Sequence, residues 1–216
     1  MSECVFVIVR HGETDANRTG ILQGQSNCPL NDNGRRQAAA AAKRLEDEHF
    51  NAAYASDLDR AFETAEIIAH RHADLAVRPT PELREWFLGD MENRPQRELL
   101  KLYPKEMEAF RREACEVRIP GGETLTEFQA RVSNFLTGLA DANPGKRILL
   151  VTHGGVMQRI FRMAAGMTAP GNLLSLSVNA SICMIRRDVD AGTWQLMTWN
   201  SADHLRDLPM HDTLVY

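Results

Sequence analysis

"FVIVRHGETDAN", Phe6–Asn17, decides the reading of this chain. It opens inside a short apolar run, Cys4–Val9, rich in valine and isoleucine. That composition suits a central strand covered on both faces. The run stops at Arg10-His11-Gly12-Glu13-Thr14, so a cation and an imidazole are delivered together to the carboxyl end of a buried strand.

The same pattern of strand, polar turn and helix recurs outward from this stretch. "LNDNGRRQAAAAAKRLEDEHF" reads as a helix capped by Asn31 or Asp32, with the Ala38–Ala42 run as a closely packed face. "AAYASD" is a second short strand, and "LDRAFETAEIIAHRH" is a helix with Asp57 as its expected cap. "AVRPTPEL" is extended, because its two prolines exclude helix. Residues 94–112 are charged and helical in pattern, and the 94–120 segment reads as an insertion that covers something. A helix is expected over Glu123–Ala140, ending at Asn-Pro-Gly. "RILLVT" is another buried strand and runs into His153-Gly154-Gly155, which opens a helix to about Ala165. "SICMIRR" and "TWQLMTW" are strands around a turn at Asp190-Ala191-Gly192. Alternating strands and helices predict an α/β fold of three layers, α/β/α. The central sheet is mostly parallel, with an antiparallel hairpin at one edge and the helical covering insertion. No linker, repeat or low-complexity segment divides residues 1–216, so a single domain is expected.

The chain has 216 residues, 44% hydrophobic and 25% charged, with a formal net charge of −4. These values are ordinary for a globular protein with a sizeable core. They lack the basic footprint of a nucleic-acid binder, and a local basic pocket would point to a small anion instead. Cys4, Cys28, Cys115 and Cys183 are scattered and form no C-x-x-C, so reduced thiols are expected rather than disulfides or a metal site. No secretory leader pattern opens the chain, and no apolar run approaches the roughly 20 residues that span a bilayer. The expectation is a cytoplasmic protein without a membrane partner; a homodimer is compatible with it.

Open α/β sheets bind ligands beyond the carboxyl ends of their strands. Three polar clusters stand at such ends: Arg10–Thr14, Asp57–Arg60 and Thr152–Gly155. Taken together, they predict that His11, His153, Arg10 and Arg60 converge on one rim. Gly12, Gly154 and Gly155 leave backbone amides open to a ligand, and forked guanidinium groups suit phosphate oxygens. Each residue alone has an ordinary structural reading. Arg60 could be a solvated charge in a first helical turn, and His153 a satisfied structural histidine.

The motifs resemble those of the histidine phosphatase superfamily, in the branch that includes cofactor-dependent phosphoglycerate mutases. "VRHGETDANRTGILQGQSNCPLNDNGRRQA" is similar to its opening motif, and "ASDLDRAFETAEII" to its second arginine block. "LREWFLGDME", "IPGGETLTEFQARV" and "ILLVTHGGVMQRI" resemble its later blocks, in the family's order. The resemblance implies that His11 is the nucleophile and that His153, Arg10 and Arg60 hold the phosphoryl group. It implies that Glu85 protonates the leaving oxygen and then activates water. Asn17 would add an amide donor, while Thr14, Gln23, Gly24 and the Gly154 amide would line the site. No metal or cofactor is implied, except 2,3-bisphosphoglycerate as a primer if the protein is a mutase.

The partner implied is a small phosphorylated metabolite. Glycolytic mutases carry longer insertions between the acid loop and the second histidine, so the short chain favours a phosphatase. Trp86 and Phe87 are candidates either for a leaving-group wall or for the core. Met91 and Asn93 depart from the family's acid loop, where a glycine is usual near the last position. The covering segment carries Arg94, Arg97, Lys101, Lys105, Arg111, Arg112 and Arg118, which would either meet a second anionic group or face solvent. A non-catalytic phosphate-binding module is the reading from another class. His204 is not expected in the site, nor are His49, His70 and His72 expected to bind metal.

Overall fold

A computed structural model describes residues 2–112, 118–167 and 177–210. The chain runs through β1 (Glu3–Arg10), α1 (Asp15–Thr19), β2 (Ile21–Leu22), α2 (Asp32–Leu45), β3 (Ala52–Ser56), α3 (Asp59–Ala69) and β4 (Val77–Thr80). It continues with β5 (Arg94–Pro95), α4 (Gln96–Leu102), α5 (Pro104–Arg112), α6 (Leu125–Asp141), β6 (Arg147–Thr152), α7 (Gly154–Ala164), β7 (Ile182–Asp188) and β8 (Thr193–Ser201). Six strands form the main sheet in the order β4-β3-β6-β1-β7-β8. β4, β3, β6 and β1 are parallel, and the β7–β8 hairpin closes one edge antiparallel.

β1 shows why the domain has three layers. Side chains alternate across a strand, and β1 buries both sets. Phe6 and Ile8 join Phe128, Val132 and Leu136 of α6 and Val156, Met157 and Ile160 of α7. Val7 and Val9 join Ala41, Ala42 and Leu45 of α2 and Ala61, Ala65 and Ile68 of α3. The alanines let α2 and α3 lie close together over the sheet.

Register places the site. Val9 pairs with Val151 and Arg10 with Thr152, so β1 and β6 end level. Ala55 of β3 also pairs with Val151. The residues that follow these strands therefore emerge on one rim. The N-terminus of α2 presses on the first turn: a Cβ on Gly12 would lie 2.3 Å from Gly34 O, and one on Gly34 would lie 2.1 Å from Glu13 O. Backbone meets backbone there, and only glycine fits on each side.

Several expectations change in detail. Asn31 caps α2, as expected, by accepting from Gly34 N at 2.8 Å. Asp57 does not cap α3; its carboxylate takes a bidentate pair from Arg84, at 2.6 Å for each bond. Residues 94–112 are a short strand and two helices, with Pro104 opening the second. β5 pairs antiparallel with β2, Ile21 to Pro95 and Leu22 to Arg94, and so ties the covering segment beside Gln23 and Gly24. Asn93 has φ 58°, so it adopts the left-handed conformation that a glycine there would supply. Cys115 and the side chains of Arg111 and Arg112 lie outside the described residues. Cys4, Cys28 and Cys183 are free thiols.

Candidate active site

His11 is the first residue beyond β1, and its backbone N–H donates to Thr152 O at 2.8 Å. His153 follows β6 and occupies the N-cap of α7 without capping it. The two rings lie 5.1 Å apart, centroid to centroid. Both residues are buried, at 3% and 0% exposure. His11 Nδ1 lies 2.7 Å from Gly12 O, a bond that requires the proton on Nδ1. Nε2 is then the nitrogen with the free lone pair.

Arg60 emerges from the first turn of α3 and is 1% exposed. Its Nη1 donates to Ser26 O at 2.8 Å and its Nη2 to Gly24 O at 2.7 Å. Its Nε is buried without a hydrogen-bond partner among the described residues, as are both ring nitrogens of His153. Buried polar atoms are nearly always paired, so these three mark a place for a polar ligand. Arg10 donates from Nη1 to Ser177 O at 2.5 Å. A Cβ on Gly154 would stand 3.5 Å from its guanidinium, so Arg10 runs beneath the N-terminus of α7.

Glu85 faces the same space. Its Oε2 accepts from Gly155 N at 2.9 Å and its Oε1 from Trp86 N at 2.8 Å. A Cβ on Gly155 would come within 2.2 Å of Oε1, so glycine is what admits the carboxylate. Thr14 caps α1 in a capping box with Asn17 and donates to Gln23 Oε1 at 3.1 Å. Asn17 spends its Oδ1 on that box, so the donor it can offer a ligand is Nδ2. Gly24 is left-handed at φ 52°, and a Cβ there would strike the Glu92 carboxylate at 2.2 Å.

All ten sequence-predicted site residues thus belong to the rim or to the loops that build it. Others were missed. Asn179 Nδ2 donates to His11 O at 3.0 Å and to Asn17 Oδ1 at 3.3 Å. Ala180 N is shared between Arg10 O and His11 O. Glu92 accepts from Gln25 N at 2.7 Å and Leu88 N at 3.1 Å, joining the loop of Gln23 and Gly24 to the one that follows Glu85. Burial raises the pKa of Glu92. Trp86 belongs to the core: it stacks on Phe128 at 5.8 Å and donates to Glu123 O at 2.9 Å. Phe87 is exposed. His204 touches Ala180 O, one step behind His11, and does not enter the site. Arg94 and Arg118 of the covering segment pair with Glu98 and Glu127, while Arg97, Lys101 and Lys105 face solvent.

The electrostatics suit a neutral nucleophile beside cations. Burial, then Arg60 and Arg10, push the His11 pKa well below its ordinary value. Burial, then Arg60, His11, Arg10 and Arg131, do the same to His153. Burial brings Arg60 down to about 10, with Glu85 the largest opposing influence. The histidines are therefore neutral in the folded protein and would charge only on unfolding at low pH. The sign follows: below about pH 6.5 the unfolded chain binds more protons, so stability is full above that value and falls as the pH drops. Urea unfolding should show a loss of up to about 1.4 kcal/mol per pH unit for each histidine. His153→Asn should flatten that slope; an unchanged slope would show that His153 is charged in the fold.

Among the described residues, no group of three His, Cys, Asp or Glu stands where it could hold a metal ion, and no helix is long and apolar enough to cross a membrane. The profile of the histidine phosphatase superfamily (branch 1) matches residues 6–202. Phosphoglycerate mutase-like protein 4 of Arabidopsis thaliana is 38% identical over 205 residues, 94% of this chain and 87% of that one. The metal-independent phosphoserine phosphatase of the same plant is 35% identical over 202 residues, 93% of this chain and 82% of that one. Among solved structures, Bacillus stearothermophilus YhfR superposes with a TM-score of 0.86 at 27% identity, covering 94% of this chain and 100% of that one.

Proposed function

The chain belongs to the histidine phosphatase superfamily (branch 1), and from that premise we propose that it is a metal-independent phosphatase of small phosphorylated metabolites that works through a phosphohistidine. One observation carries this reading. Two buried imidazoles lie 5.1 Å apart, and both His153 nitrogens and Arg60 Nε are buried without partners among the described residues. Phosphoryl oxygens can accept from Arg60 Nε–H and from the one protonated nitrogen of a neutral His153.

The reaction follows from the geometry. His11 Nε2 attacks phosphorus while the ester P–O bond breaks. Glu85 gives its proton to the departing oxygen. Arg10, Arg60 and His153 meet the charge on the equatorial oxygens, the work that magnesium does in many other phosphoryl-transfer sites. In the second step Glu85 takes a proton from water, the water oxygen bonds to phosphorus, and the P–N bond breaks. His11 is released neutral, the form favoured by its burial and by its cationic neighbours.

The test is phosphate release from phosphoserine, 3-phosphoglycerate, sugar phosphates and ribazole phosphate with EDTA present. A parallel assay follows 3-phosphoglycerate to 2-phosphoglycerate with 2,3-bisphosphoglycerate as primer. Release that EDTA does not diminish is the expected outcome. Isomerisation without release would make the protein a mutase, a reading favoured by the name of its 38%-identical relative. Silence in both assays from folded protein would leave a phosphate-binding module.

A further inference from the structure

Glu85 follows a 3-10 turn, Pro81–Leu83, and the backbone that carries it must be held in place for its carboxyl to keep its bonds from Gly155 N and Trp86 N. In the segment Pro81–Glu85, Thr152 Oγ1 donates to Leu83 O at 2.8 Å and Gln25 Nε2 to Glu85 O at 3.1 Å, but one side chain gathers four carbonyls. Arg131 of α6 donates from Nη1 to Glu82 O at 2.9 Å, to Arg84 O at 3.0 Å and to Pro81 O at 3.4 Å. Its Nη2 donates to Glu85 O at 3.2 Å. Converging carbonyl dipoles repel one another, and buried without a donor they would be costly. One planar guanidinium with five N–H donors resolves this, and an ammonium cannot reproduce that fork.

The other half of the clamp is Glu123. It accepts from Arg131 Nη2 at 2.6 Å, with side-chain exposures of 18% and 17% for the pair. Its Oε1 also accepts from Phe87 N at 3.0 Å, and its backbone carbonyl accepts from Trp86 Nε1 at 2.9 Å. The Arg131 guanidinium lies over the Phe128 ring at 5.1 Å, and that ring stacks on Trp86. The ion pair thus holds the backbone on both sides of Glu85: four carbonyls of residues 81–85 through the cation, and Phe87 N through the anion.

We propose that Arg131, backed by Glu123, is the positioning residue that aims the Glu85 carboxyl at the leaving oxygen. Neither side chain is assigned contact with the reacting atoms; they act through the loop. The proposal rests on the acid role given to Glu85 above.

Leaving-group chemistry tests it. 2,4-Dinitrophenolate departs without a proton, whereas the alkoxide of an alkyl phosphate does not. The comparison is kcat/KM for 2,4-dinitrophenyl phosphate and for phosphoserine, with wild type, Arg131→Lys, Glu123→Gln and Glu85→Gln. A mispositioned acid should lower kcat/KM for the alkyl ester by about 10–100-fold in Arg131→Lys, and for the aryl ester by less than about threefold. Glu123→Gln should change the ratio in the same sense by a smaller factor, and Glu85→Gln by a larger one. The ratio of the two substrates is independent of the fraction of protein folded, so a merely structural lesion would leave it unmoved. Equal losses on both esters, or no loss, in Arg131→Lys alongside a skewed ratio in Glu85→Gln would overturn the proposal and leave the phosphatase intact. Wild-type inactivity on both esters would remove the phosphatase reading, and the proposal with it.

Discussion

His11→Ala is expected to lower kcat/KM for every accepted phosphomonoester by more than about 10⁴-fold and to abolish the trapped phosphoenzyme. No other group in the site can replace it. His153 has its nitrogens on the same rim, but it emerges from β6, and the proposed mechanism gives it the phosphoryl oxygens instead. The variant should remain folded at neutral pH. Among the described residues, the His11 ring hydrogen-bonds to the carbonyl of its own neighbour Gly12, and burial already disfavours its charged form. The check is rapid alkaline quenching with labelled substrate, followed by mass spectrometry of the peptide that contains residue 11. Alkali-stable label retained in His11→Ala, or turnover within tenfold of wild type, would remove the covalent mechanism.

Arg60→Ala should rank second, because this side chain works at two levels. Its Nε faces the ligand space while both terminal nitrogens hold Gly24 O and Ser26 O. Truncation removes a cation from the transferring phosphoryl group, worth about 10³–10⁵-fold in kcat where an arginine has that task. It also frees the loop that presents Gln23 and Gly24, at a cost of about 2 kcal/mol from two carbonyls left without donors. Arg60→Lys keeps a charge but cannot reach both carbonyls, so it should recover part of the activity and little of the stability. Steady-state kinetics beside urea unfolding separates the two levels. A loss confined to KM would mean that Arg60 binds ground state and transition state alike.

The strands and the residues behind them were legible in the sequence for a simple reason. Arg10, His11, Arg60 and His153 lie within a few positions of an apolar run, and parallel strands bring their carboxyl ends to one rim. What escaped was set by tertiary contact alone. Asp57 has the sequence position of a cap, but Arg84 outbids α3 for its carboxylate. The β2–β5 ladder is two residues long on each side, too short for any periodicity to register. Asn179 and Arg131 touch the site's backbone from far along the chain, with no motif that names their partners. Trp86 beside Glu85 could face ligand or core, and only its stacking on Phe128 decides for the core.

The strand order has a consequence for how the molecule is made. β1 is synthesised well before its two neighbours in the sheet, β6 and β7, which begin at Arg147 and Ile182. Until those arrive, Phe6–Val9 is an unpaired apolar strand. At about 5–20 residues per second, a ribosome leaves it waiting for roughly ten to thirty seconds. Helices α2 and α3 and strands β3 and β4 can meet during that interval, because they are close in sequence. His11 cannot be seated, since its backbone is tied to Thr152, Asn179 and Ala180. Catalytic competence arrives late, once the closing strands have been added to the sheet.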